Sequence, residues 1–163
     1  FDELKNQVPF KLSALLLLAL ELPVGSNLYL FGDDAEADAL IYSLFADMIA
    51  GRIRGPRLEK TLLRMRVRKS HIRAIMQTLE RVQPHDRVHG ILIRLTNPDK
   101  TRKFNTIDPR ILGWASPASC AKFFLEHKLI SSLKADRIIK MCSDHRSVNG
   151  AGAINTDGGW FRD

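Results

Sequence analysis

The stretch that decides the fold is Tyr29-Leu30-Phe31-Gly32-Asp33-Asp34-Ala35-Glu36-Ala37-Asp38. Its opening is short, apolar and aromatic, the composition of a buried strand over residues 27–31. Gly32 and two aspartates stop the run. From residue 35 the period changes, and Leu40, Ile41, Leu44, Phe45 and Met48 recur at helical spacing over residues 35–50. A strand ending in carboxylates puts Asp33 and Asp34 at the C-terminal edge of a sheet, where open α/β sheets form their ligand crevices. Asp38 lies one helical turn beyond Asp34, so both can point toward the same pocket. Gathered carboxylates are unfavourable unless a cation compensates them, and hard oxygen donors suit Mg2+, which keeps several waters and contacts phosphate. A simpler role also fits: Asp33 or Asp34 caps the following helix, with Glu36 in the first turn aiding its dipole. The two roles are compatible, because a capping carboxylate has a second oxygen.

Upstream, residues 10–22 are mostly strong helix formers, and Pro23 with Gly25 ends them. The apolar run at residues 12–22 is interrupted by Ser13 and Glu21 and falls short of the roughly 20 residues that span a bilayer. It reads as a buried helix, neither a transmembrane segment nor a cleaved signal, and the expected location is cytoplasmic. Downstream, Gly51, Gly55 and Pro56 mark a break. Residues 57–82 then read as one long amphipathic helix, with Leu58, Leu62, Met65, Ile72, Met76 and Leu79 on one face and Arg57, Lys60, Arg64, Arg68 and His71 on another. Residues 88–95 fit a second buried strand, 100–108 an exposed basic loop and 111–115 a short strand. Ser116-Pro117 is a good helix start, with helices expected over 117–127 and 131–142. Residues 144–163, with four Gly and two Asn, read as a flexible tail. The expected fold is α/β: a partial Rossmann-like parallel sheet flanked by helices, with additional C-terminal helices, in one domain over residues 1–143.

A chain of 163 residues, 45% apolar and 26% charged, is ordinary for a globular protein, and its net charge of +7 favours an anionic partner. Between Arg52 and Arg73 there are nine Lys or Arg and only Glu59 against them. That stripe is either a solvated helix face or a site for an anionic partner at Arg57, Lys60, Arg64 and Arg68. Cys120 and Cys142 lack the close spacing of a thiolate metal site or redox pair and read as buried free thiols. His85 and His89 have a zinc-like spacing only if helical, which Pro84 and the strand at residue 88 oppose. Gly150 and Gly152 lack the third glycine and preceding strand of a dinucleotide loop, and Ser116, Ser119 and His127 lack a Gly-x-Ser-x-Gly turn.

Lys11 in a helix, followed by a short connection and a strand ending in Gly32-Asp33-Asp34 with Asp38, resembles the third and fourth motifs of the haloacid-dehalogenase superfamily. Residues 31–47, with Ile41-Tyr42 after the acidic cluster, are similar to bacterial phosphatase-domain proteins of that superfamily and distantly to phosphatidate-phosphatase domains. Residues 10–51 carry the resemblance. It implies a Rossmann-like phosphohydrolase using Mg2+ on an unidentified phosphomonoester, either a small molecule or a lipid. By that likeness Lys11 neutralises the attacking carboxylate and the phosphate, Asp33 is the principal metal-linked carboxylate, Asp38 the second, and Asp34 an additional group. The family also uses an Asp-x-Asp motif ahead of the lysine, and Asp2-Glu3-Leu4 does not supply it. With Phe1 in place of a starting Met, the chain reads as the C-terminal portion of a longer enzyme, inactive by itself because nucleophilic phosphoryl transfer needs the attacking group. The contrasting expectation is a non-catalytic basic module that binds nucleic acid or acidic lipid.

Overall fold

Helix α1 spans Asp2–Glu21, beginning well before the leucine-rich run and continuing through Pro9. An interior proline costs a helix about 3 kcal/mol. Val8 and Leu12, fully buried on either side of it, contribute roughly 1.5–3 kcal/mol each, enough to carry the helix through. The helix is not buried all round, as its leucines imply. Val8, Leu12, Leu16 and Ala19 face the core, whereas Phe10, Leu17 and Leu18 are exposed. Among the described residues no helix is long and apolar enough to cross a membrane.

The computed structural model describes residues 2–35, 37–96 and 104–149. After α1 come β1 (Leu28–Asp33), α2 (Asp38–Ile49), α3 (Gly55–Arg64), α4 (Lys69–Arg81), β2 (Val88–Arg94) and β3 (Ile111–Trp114). The three strands form one sheet in the order β1-β2-β3, and β1 and β2 are parallel, joined across the three helices. The fold is therefore α/β around a small sheet. Strand β2 lies in the middle, and Gly90, Ile91, Leu92 and Ile93 are all buried, as expected of a strand covered on both faces. Strand β1 is at the edge. Helix α1 packs on α2 and α4, while α2 packs on β1 and β2. Phe45, Met48 and Ile49 of α2, Leu58 and Leu62 of α3, and Ile72 and Ile75 of α4 join the strand residues in one core.

The helix expected over residues 57–82 is two helices. Arg66 takes a left-handed φ of 60°, its N–H donates to Leu63 O at 2.9 Å, and the Val67 N–H donates to Leu62 O at 3.0 Å. That is a Schellman stop, and Val67 and Leu62 are both buried in the core. Gly51 ends α2 in the same way at φ 80°, with bonds from Gly51 N–H to Met48 O and Arg52 N–H to Asp47 O. At Gly51 the glycine announces the stop. At Arg66 burial of Val67 imposes it on a residue that does not favour it. The basic stripe is consequently divided: Arg57, Lys60 and Arg64 stand on α3, and Arg68 is the N-cap of α4.

The chain divides into two compact units, Phe1–Gly113 and Trp114–Asp163, where the sequence reads as a single domain to residue 143. Residues 97–103 of the expected basic loop lie outside the described residues. Its end is not exposed as expected, for Phe104 and Asp108 are buried. In the second unit α5 (Pro117–Glu126) packs on α6 (Ser132–Asn149). Ser116 and Ser119 close the start of α5, the Ser116 N–H donating to Ser119 Oγ at 3.4 Å and the Ser119 hydroxyl to Ser116 O at 2.7 Å. Helix α6 continues to Asn149, into the span read as a tail, and residues 150–163 lie outside the described residues, including Gly150 and Gly152. Cys120 is buried and Cys142 half-buried, both free thiols. Burial pushes the Cys120 thiol up to about 11.

Candidate functional site

The C-terminal end of β1 is where the chemistry-bearing side chains meet. The Asp34 N–H donates to Arg94 O of the neighbouring strand at 3.0 Å. Successive residues of a strand present their backbone groups to opposite sides, so the Asp33 N–H and the Phe31 carbonyl point away from β2, along the sheet edge. Helix α2 covers both. Asp38 Oδ2 accepts the Asp33 N–H at 3.3 Å, and the Tyr42 hydroxyl, one turn further on, donates to Phe31 O at 2.9 Å. The other Asp38 oxygen forms a short ion pair with Lys11 Nζ from α1. Asp38 thus ties α1, α2 and β1 together while itself only 4% exposed. Gly32 makes the approach possible, since a Cβ there would lie 2.5 Å from the Asp38 Cβ.

The remaining acids have distinct partners. Asp33 Oδ1 accepts the Ala35 N–H at 3.0 Å, a local turn that follows the strand. Asp34 is buried, and its Oδ1 accepts both the Thr96 N–H at 2.8 Å and the Thr96 hydroxyl at 2.6 Å, clasping the ends of β1 and β2. Neither caps α2, whose N-cap is Ala37 with no side-chain bond; the acid in its first turn is Asp38. Glu36 lies outside the described residues. The structure therefore brings Lys11, Asp38 and the Asp33 backbone together, and turns the Asp34 carboxylate toward Thr96. Tyr42 and Thr96 were not singled out as site residues from sequence. Tyr42 carried a signal in its four-residue spacing from Asp38, whereas Thr96, 62 positions from Asp34, carried none. Among the described residues no group of three or more His, Cys, Asp or Glu is arranged to hold a metal ion.

A second polar cluster occupies the opposite end of the sheet, before the starts of β2 and β3. Arg52 pairs with Asp47 at 2.8 Å and Asp86 at 2.7 Å, and Arg110 pairs with Asp47 at 3.2 Å and with Asp108. Ser43 donates to Asp108 at 2.7 Å. These residues line an open cleft of about 380 Å³. Burial pushes the Asp108 carboxyl up, but the bonds from Arg110 and Ser43 outweigh it and bring it down to about 2. The cluster fastens α2 to the segments entering β2 and β3. His85 and His89 do not share a site: the His85 N–H donates to Ile49 O, and His89 on β2 lies beside the Tyr29 ring at 6.2 Å. His127 bonds Phe123 O and stacks on the Phe123 ring.

Comparison with known protein families, curated proteins and solved structures returns no match for this chain.

Proposed function

We propose that the chain carries the lysine and acidic-motif side of a haloacid-dehalogenase-like active site, in a Mg2+-dependent phosphohydrolase acting on a phosphomonoester. The observation that carries this reading is the ion pair of Lys11 with Asp38. Two residues 27 positions apart meet beside Asp33 at the C-terminal end of a parallel strand, where open α/β sheets bind ligands. A held ammonium group beside carboxylates suits the neutralisation of a phosphate, because phosphoryl transfer depends chiefly on positioning and charge compensation. Mg2+ is usually bound by one or two carboxylates with water and substrate oxygens completing the shell. The donors present fit such an ion without a cage of three acids. Asp33 would hold it, Asp38 keeps Lys11 and the Asp33 backbone in register, and Asp34 steadies the adjoining strand ends through Thr96. When bound, the ion would neutralise phosphate charge. The attacking carboxylate comes, in this reading, from an Asp-x-Asp segment that these residues do not contain, so the chain binds metal and phosphate without turnover.

The test uses Mn2+ as a paramagnetic, oxygen-seeking stand-in for Mg2+. Broadening of amide signals centred on residues 32–38, enhanced by inorganic phosphate, lost in Asp33→Asn and kept in Asp136→Asn, supports the reading. Lys11→Ala should weaken phosphate binding about 10-fold or more, the loss of one charge-assisted bond. Broadening scattered over surface carboxylates and indifferent to Asp33→Asn rules the reading out.

A further inference from the structure

The helices between α2 and β2 carry charges that the strand-end site does not use. Arg57, Lys60 and Arg64 lie three and four residues apart on α3, on one arc of its surface, and all are exposed. Arg66 and Arg68 stand on the turn, and Lys69 and Arg73 open α4; these are exposed too. Unlike Arg52 and Arg110, none of them pairs with a described carboxylate.

Their placement opposes local stability. A helix start favours acids, and a cation there costs about 0.3–1 kcal/mol. Neither α3 nor α4 has an acid in its first turn, while Arg57 sits in the first turn of α3 and Arg68 and Lys69 begin α4. Arg66 occupies the left-handed region, which glycine would enter without strain. Repeated departures from local preference in one place, with no carboxylate partner among the described residues, point to a site for an external anion.

Three extended anions compete for it. A single nucleic-acid strand is held by stacking on aromatic rings, and residues 55–81 contain no Phe, Tyr or Trp. A helix that lies in a membrane surface adds an inserted apolar face to the attraction of its cations for anionic lipid. Leu58, Leu62, Ile72, Ile75 and Leu79 are committed to the core, and Leu63 is the exposed large apolar residue of the pair. A stiff phosphodiester duplex remains, and it needs only cations and a rigid shape. Two helices joined by a four-residue turn provide that shape, with Ser70, Arg73, Ala74 and Gln77 exposed at helical spacing along α4. We propose that α3 and α4 dock the phosphate backbone of a nucleic-acid duplex, a binding function separate from the strand-end chemistry.

Fluorescence anisotropy of the chain tests this with a short labelled DNA duplex, the RNA duplex of the same sequence, the DNA single strand and anionic phospholipid vesicles. Four phosphate contacts would give a slope of about −3.6 in log K against log salt on DNA, a loss of roughly 150-fold between about 50 and 200 mM. Arg64→Glu with Arg68→Glu should weaken duplex binding at least 10-fold and flatten the slope by about 2. Lys134→Glu with Lys140→Glu makes the same charge change on exposed positions of α6 and should leave binding in place. Tighter binding of DNA than RNA assigns the B-form duplex, and the reverse the A-form. A slope near zero, equal losses from both double variants, or preference for the single strand or vesicles overturns the proposal.

Discussion

Gly32→Ala offers the sharpest perturbation of the strand-end site. The added methyl carbon would lie 2.5 Å from the Asp38 Cβ, against an ordinary carbon separation of about 3.5–4.0 Å. Both atoms are fixed by backbone, so no rotamer change relieves the overlap, and β1 and α2 must part by about 1 Å. Overpacking of this kind costs about 1–3 kcal/mol. The shift also draws Asp38, buried and paired with Lys11, off the Asp33 N–H, which raises the expected loss to roughly 3 kcal/mol. With a urea dependence of about 1–3 kcal/mol per molar, the unfolding midpoint falls by roughly 1–3 M at unchanged slope. Gly25→Ala is the matched control: nothing lies within 4 Å of its added carbon, and its effect should stay within about 0.5 kcal/mol. Equal midpoints for the two variants would refute the close approach of Gly32 to Asp38.

Asp108 has a folded pKa of about 2, below its ordinary 3.8, so it contributes stability above pH 4 that is lost as pH falls toward 2. The wild-type chain should lose roughly 2 kcal/mol on this account between about pH 4 and 2, and Asp108→Asn, less stable at neutral pH, should lack that part of the decline in urea midpoints. Arg87 is buried and donates to Ala19 O at 2.6 Å and Pro23 O at 3.2 Å, satisfying the end of α1. Arg87→Leu should cost about 1–3 kcal/mol by removing the donor to the Ala19 carbonyl, while the Pro23 carbonyl keeps the Ser26 N–H at 3.0 Å; an unchanged or raised midpoint would mean that desolvation of the guanidinium dominates. Arg66→Gly should raise stability by about 0.5–1 kcal/mol by relieving the left-handed backbone, and Arg66→Val should lower it, both read by thermal melts.

The strand-then-helix order around Asp33 was readable from the apolar, aromatic composition of β1 and the helical repeat of α2, but β1 is an edge strand that buries Leu30 and exposes Phe31 rather than the buried strand its composition implies. Strand β2 was readable for a different reason: a strand covered on both faces is apolar almost throughout. The break at Arg66 was not readable. Glycine is the usual stop signal, and here the stop goes with the burial of Val67, which depends on α3 and α4 packing into one core. The leucine run in α1 misled in the same way, since composition gives no sign of which leucines the core will receive.

The strand-end acids divide along the same line. Sequence alone determined that the acids lie between a short strand and the helix after it, a short-range property of the chain, although it began that helix at residue 35 where the structure begins it at Asp38 and keeps Asp33 in the strand. Only the tertiary structure decided that Asp38 pairs with Lys11 and takes the Asp33 N–H, while Asp34 turns to Thr96. The choice was made by the packing of α1 on α2 and the parallel register of β1 with β2, contacts between segments far apart in sequence that no local pattern encodes.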